Sequence, residues 1–174
     1  MKINTNHWNQ WRYALYAPVY DRVVSYFDKQ RKRSIELLDI QPGDKVLIIG
    51  AGTGLALPFL PDFCEITATD ITPAMLAKLE IRRQKLEKKV VVRLMDGQKL
   101  NFEDNAFDKI ILHLILAVIP DADACLSEAG RVCKPEGKIA VFDKFIPRGE
   151  KTGLIRETLN FFTNIMATNI NRHF

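Results

Sequence analysis

Val46-Leu47-Ile48-Ile49-Gly50-Ala51-Gly52-Thr53-Gly54 is the stretch on which the fold turns. Four aliphatic residues run without interruption into three glycines at alternate positions. A short continuous apolar run reads as a strand buried on both faces, as in a parallel sheet. Glycine at the end of such a strand permits a sharp turn and lets a ligand approach the backbone with no Cβ in the way. A helix is expected to follow, with its first N–H groups turned toward an anionic group. The dinucleotide fingerprint, GxGxxG with an acid about 20 residues on, is the competing pattern. Gly50 and Gly52 satisfy it, but the third glycine is Gly54 and position 55 is Leu, so the spacing is GxGxG. Asp70 ends the next apolar segment, and a carboxylate there can accept both hydroxyls of a ribose.

Outward from this turn, strand and helix patterns alternate. Strands are expected over residues 45–49, 65–69, 90–95, 109–114 and 138–142, and helices over 73–88 and 121–134. Thr72 suits an N-cap and Pro73 the first helical position. Pro135-Glu136-Gly137 should stop the second helix. This alternation predicts an α/β fold: a doubly wound, Rossmann-like, mostly parallel sheet covered on both faces. Trp8, Trp11, Leu15, Val19, Val23 and Phe27 recur every three or four residues, so residues 4–38 read as two helices broken at Pro18. The chain is expected to be one domain: an N-terminal helical cap (1–40), a core (45–145) and a C-terminal helix (146–174).

Composition narrows the class. The 174 residues, 47% hydrophobic and 26% charged, suffice for one core. No run of about 18 apolar residues offers a membrane span, and the polar start lacks the apolar region of a signal peptide. The cytoplasm is the expected location. Cys64, Cys125 and Cys133 form no CxxC pair and the three His are scattered, so neither a disulfide framework nor a metal site is expected. A net charge of +4 suits an acidic partner without requiring one. The basic helix 78–89 reads as a solvated face.

Several motifs occur in order: Gly50-Ala51-Gly52-Thr53-Gly54, Thr69-Asp70-Ile71-Thr72-Pro73-Ala74-Met75-Leu76, Asp96-Gly97-Gln98-Lys99-Leu100, Asn105-Ala106-Phe107-Asp108 and Ala129-Gly130-Arg131-Val132-Cys133-Lys134-Pro135-Glu136-Gly137. Over about residues 45–145 the chain resembles class I methyltransferases that use S-adenosylmethionine (SAM) and release S-adenosylhomocysteine. The resemblance implies that Gly50, Ala51, Gly52 and Thr53 hold the methionine end of SAM and that Asp70 binds the ribose. Ile71 and Met75 would pack on the adenine, and Asp96 would accept from its amino group, with Gly97 and Gln98 beside it. His113 and Leu114 would line the methionine amino group and the methyl path. Many relatives carry an acid where this chain has Ile48. Residues 13–21 are similar to the lead-in of the phospholipid N-methyltransferase and ubiquinone/menaquinone methyltransferase subgroup. There the segment closes over SAM, which makes Tyr20 a candidate contact.

Methyl transfer from a sulfonium is an in-line displacement that releases a neutral thioether, so the protein mainly aligns the partners and excludes water. A base is needed only if the nucleophile must lose a proton, and His113 is the candidate. Enzymes that methylate amino groups of adenine, cytosine or glutamine typically carry an Asp/Asn-Pro-Pro-Tyr/Phe motif after the fourth strand. Leu112-His113-Leu114-Ile115 stands here, so nucleic acid is not expected as a partner. The expected acceptor is a phospholipid headgroup amine, with a quinone-like, phenolic or thiol small molecule as the alternative. A non-catalytic SAM-binding module or truncated form is a third reading. The chain stops at Phe174, without residues for the antiparallel strand pair that ends related domains, and an open edge would favour homo-oligomers. Trp8, Trp11, Tyr13, Tyr16 and Tyr20, with nearby basic residues, lead us to expect peripheral contact with an anionic membrane.

Overall fold

In a computed structural model, residues 5–7, 10, 21 and 25–143 are described. The kink expected at Pro18, the contact at Tyr20 and the C-terminal helix lie outside these residues. Five strands, β1 (Lys45–Ile49), β2 (Glu65–Asp70), β3 (Val90–Leu94), β4 (Phe107–His113) and β5 (Cys133–Phe142), form one sheet in the order β3-β2-β1-β4-β5. All four pairings are parallel. Helices α1 (Asp28–Glu36), α2 (Pro73–Lys85) and α3 (Ala122–Val132) accompany it. The doubly wound α/β expectation is met.

The two-residue period of a strand explains how the sheet is buried on both faces. Leu47 and Ile49 join a core with Leu112, Ile119, Cys125 and Val132. Val46 and Ile48 join the opposite core with Ile35, Leu57, Ile66 and Leu79. The next strand after β1, β2, lies on one side of it, whereas β4 pairs on the other. The crevice at the carboxyl ends of strands around such a reversal is where open α/β sheets bind ligands.

Local chemistry overrules the sequence reading in several places. No α-helix follows the glycine turn; Leu57–Phe59 forms a three-residue 3-10 helix. Pro58 has no N–H to donate, and Pro61 drives Leu60 into an extended conformation, ψ 140°. The expected helix N-terminus is therefore absent from the turn. Pro135 does not end the last helix. α3 finishes at Val132, and β5 begins at once, with a register shift opposite Phe107/Lys109 that absorbs the residues between. Proline is tolerated because β5 is an edge strand among the described residues. Thr72 occupies the N-cap of α2 without making a side-chain cap bond. No helix of the described residues is long and apolar enough to cross a membrane.

Candidate functional site

A cleft opens at the carboxyl tips of β1, β2 and β4, lined among others by Gly50, Asp70, Asp96 and His113. A second hollow adjoins it, sharing Gly50, Gly52, His113 and Leu114.

The glycine turn forms the floor. Gly50 and Gly52 have φ of +67° and +56°, a region costly for residues with a Cβ. A Cβ on Gly50 would lie 2.2 Å from Cδ1 of Ile115, so the missing side chain admits the loop after β4. Ala51 and Thr53 line the second hollow.

Asp70, at the tip of β2, is clasped from both sides. Gly52 N–H donates to Oδ2 and Thr72 N–H to Oδ1, each at 2.8 Å. Burial pushes its pKa up, while these N–H bonds pull it down. Each carboxylate oxygen keeps a second lone pair, so the fixed carboxylate can still accept from a ribose. Ile71 and Met75 follow on the same wall, Met75 being almost fully buried.

Asp96 lies just beyond β3 and lines the cleft with Gly97. Its Oδ1 accepts from the Gln98 N–H at 2.9 Å and its Oδ2 from Nδ2 of Asn6 at 2.6 Å. Gln98 does not line the cleft. Its Nε2 donates to Asp96 at 3.0 Å, and its Oε1 accepts from the Asp121 N–H at 2.8 Å. It fixes the carboxylate and ties it to α3.

His113, the last residue of β4, lines both hollows. Nε2 lies 3.2 Å from Oγ of Ser34. Nδ1 is buried with no partner among the described residues. Burial first, and the Arg31 charge second, push the imidazole down to about 3. The ring is therefore neutral near pH 7 and has little drive to keep a proton taken from an acceptor. Leu114 adopts φ +58°, about 1–2 kcal/mol unfavourable for a residue with a Cβ, and its N–H donates to the Phe142 carbonyl at 2.7 Å. This turn directs Ile115, Val118 and Ile119 along the cleft.

Of the described site residues expected from the sequence, every one except Gln98 lines one of the two hollows. Four residues were not anticipated. Ile115 was legible only as part of an apolar run. Arg82 sat in a basic helix that looked solvated, Arg31 among basic residues expected to face an anionic membrane, and Asn6 carried no signal. Arg82 donates through Nη1 to the Thr53 carbonyl at 2.5 Å and through Nη2 to Asp21 at 2.6 Å. The Thr53 hydroxyl in turn donates to Asp21 at 2.5 Å.

Comparison with known proteins agrees with this fold. The family profile described as "Methyltransferase domain" matches residues 47–141. The chain is similar to phosphatidylethanolamine N-methyltransferase of Cereibacter sphaeroides, 27% identical over 90% of this chain and 76% of that protein. It is similar to demethylmenaquinone methyltransferase of Corynebacterium urealyticum, 37% identical over 67% of this chain and 49% of that protein. The chain thus spans about half the length of this second relative. Its fold matches Haemonchus contortus phospholethanolamine N-methyltransferase 2, solved with phosphomonomethylethanolamine and S-adenosylhomocysteine. The TM-score there is 0.70 at 21% identity, over 83% of this chain and 34% of that one.

Proposed function

The chain belongs to the methyltransferase-domain family, and from that premise we propose that it moves a methyl group from SAM to the headgroup amine of a phospholipid. The apolar wall after β4 carries the choice of acceptor. Leu114, Ile115, Val118 and Ile119 line the same cleft as Gly50 and Asp70 and give it an apolar wall that suits a lipophilic acceptor. The similarity to a phosphatidylethanolamine N-methyltransferase over 90% of the chain supports the same reading.

The residues present fit SAM. Gly50 and Gly52 leave a floor free of side chains, Asp70 offers a fixed carboxylate to ribose hydroxyls, and Asp96 offers one to an exocyclic amine. Bound SAM supplies an electrophilic methyl on a sulfonium. Ile71 and Met75 supply the apolar face against the adenine. Ile115, in the loop after β4, packs over Gly50, so this loop would help to exclude water and align the acceptor. The headgroup amine is an ammonium near neutral pH and must release its proton to water before its lone pair attacks the methyl, because the imidazole of His113, pushed down to about 3, is a poor acceptor for it.

Radiolabelled SAM, offered with phosphatidylethanolamine vesicles and separately with a demethylated naphthoquinol, tests the reading. Label in the lipid is the expected result. Label only in the quinol would favour the alternative, which the 37% similarity to a demethylmenaquinone methyltransferase supports. Label in neither, despite SAM binding, would favour a non-catalytic module. A lipid acceptor also entails peripheral membrane contact, so low-salt sedimentation with anionic vesicles should carry the protein down and salt should release it.

A further inference from the structure

We propose that Asn6 is an internal stand-in for adenine: its amide holds the place on Asp96 and Gln98 that the base takes, and the exocyclic amine of an incoming ligand must displace it. The inference rests on the reading of the cleft as a SAM site and adds a competitor at its nucleobase end.

Asn6 is half-buried and lines the cleft together with Ile71, Asp96 and Gly97. Both ends of its amide are engaged there. Nδ2 donates to Oδ2 of Asp96 at 2.6 Å, and Oδ1 accepts from Nε2 of Gln98 at 3.0 Å. An ionised carboxylate only accepts, so the amide nitrogen must be the atom that faces Asp96. A donor set beside an acceptor is also what adenine presents, since its exocyclic amine donates and a neighbouring ring nitrogen accepts. The amide and the base therefore ask for the same partners.

The carboxylate cannot serve both. It accepts at roughly four lone-pair positions. Oδ1 of Asp96 takes the Gln98 N–H at 2.9 Å and Nε2 of Gln98 at 3.0 Å, while Oδ2 takes the same Nε2 at 3.1 Å and Asn6 at 2.6 Å. An exocyclic amine gains a place only when one of these donors leaves. Gln98 is anchored a second time, its Oε1 accepting from the Asp121 N–H at 2.8 Å. Asn6 reaches Asp96 from the start of the chain, and Gln10 adds a tie at the same end of the cleft, donating from Nε2 to the Ile71 carbonyl at 3.0 Å. Asn6 is thus the donor that yields. An adenine edge replaces the hydrogen bonds it breaks, whereas a base without the amine leaves Asp96 short of a donor, and an unmet acceptor is costly. The exchange makes Asn6 a filter for adenine.

Calorimetry and amide hydrogen exchange on the full chain test this with two ligands: S-adenosylhomocysteine, and S-inosylhomocysteine, in which a carbonyl replaces the exocyclic amine. Asn6→Ala should bind S-adenosylhomocysteine roughly three- to tenfold tighter than native protein does, the gain from removing one competing hydrogen bond. In native protein, S-adenosylhomocysteine should speed exchange in the peptide that holds Asn6 and Gln10. S-inosylhomocysteine turns an acceptor toward the Asp96 carboxylate and should leave that exchange unchanged. Equal or weaker binding of S-adenosylhomocysteine by Asn6→Ala would overturn the proposal and leave the cofactor reading intact. Slower exchange with S-adenosylhomocysteine bound, the mark of a segment that closes over its ligand, would overturn it as well. So would equal acceleration by the two ligands, because the amine would then not be the displacing group. Failure of native protein and Asn6→Ala alike to bind S-adenosylhomocysteine would overturn both readings. The exchange measurement on native protein decides the matter even if the variant does not fold.

Discussion

Nη1 of Arg82 donates to the carbonyl oxygen of Thr53 at 2.5 Å, so α2, which packs through Leu79 on the core shared with Val46 and Ile48, fixes the backbone of the glycine turn. Nη2 of the same side chain reaches Asp21, which also accepts from the Thr53 hydroxyl. Hydrogen bonds to a charged group contribute about 1.5–3 kcal/mol. Partial exposure of Arg82 and Asp21 places the expected effect at the lower end. Arg82→Ala should therefore weaken S-adenosylhomocysteine roughly tenfold while the fold survives, as read by calorimetry and circular dichroism. An unchanged dissociation constant would show that the turn holds its shape without Arg82.

Asp70 should make cofactor binding sensitive to acid. Burial raises its pKa above the ordinary 3.8. On acidification it therefore takes up a proton while exposed carboxylates are still ionised, and its power to accept ribose hydroxyls falls. Affinity for S-adenosylhomocysteine should decline at a pH above 3.8, and Asp70→Asn should lose this limb while binding about 1.5–3 kcal/mol more weakly at neutral pH. The contribution to stability has the opposite sign. A raised pKa favours the folded state when protonated, so this stabilisation is complete below 3.8 and is lost as pH rises through the elevated value. A native protein whose affinity stays flat through the acid range would contradict the assignment.

The fold was legible because its signals are local. The apolar run ending at Gly50, the acid at Asp70 and the N-cap position at Thr72 each follow from a few adjacent residues, and all stand where expected. The errors came where neighbours compete. Pro58 and Pro61 removed the helix after the turn, and an edge position let Pro135 remain within a strand. The site was legible along the chain but not across it. Asn6 meets Asp96 over 90 residues and Arg82 meets Thr53 over 29, separations at which no periodicity carries information. Arg82 looked solvated because a basic helix has the same sequence whether or not one of its cations turns inward.

His113 should appear in the pH dependence of folding. Burial, then the Arg31 charge, lowers its pKa to about 3 from an ordinary 6.5. Between those values the unfolded chain binds a proton that the folded chain refuses, so stability falls as pH drops below 6.5 and levels off near 3. The slope from this one group is at most about 1.4 kcal/mol per pH unit. Urea denaturation from pH 7 to 4 should show it, and His113→Leu should reduce the slope. If the variant retains the native slope, His113 titrates normally in the folded protein.

Gly50 and Ile115 should prove energetically coupled. A Cβ at position 50 falls 2.2 Å from Cδ1 of Ile115, and the backbone there is left-handed at φ +67°. Gly50→Ala therefore incurs two separable penalties: about 1–2 kcal/mol for the conformation and about 1–3 kcal/mol for the overlap. Removing the Ile115 side chain relieves the second and leaves the first. Ile115→Ala alone should destabilise by loss of packing, because Ile115 rests against the core that contains Leu47, Ile49 and Leu112. Gly50→Ala/Ile115→Ala should then be more stable than the two single effects summed, by about 0.5–3 kcal/mol, the range for residues in contact. The three variants and native protein, unfolded in urea, close the cycle. Simple additivity would mean that the loop after β4 does not rest on the glycine turn in solution, and that the penalty at Gly50 is conformational alone.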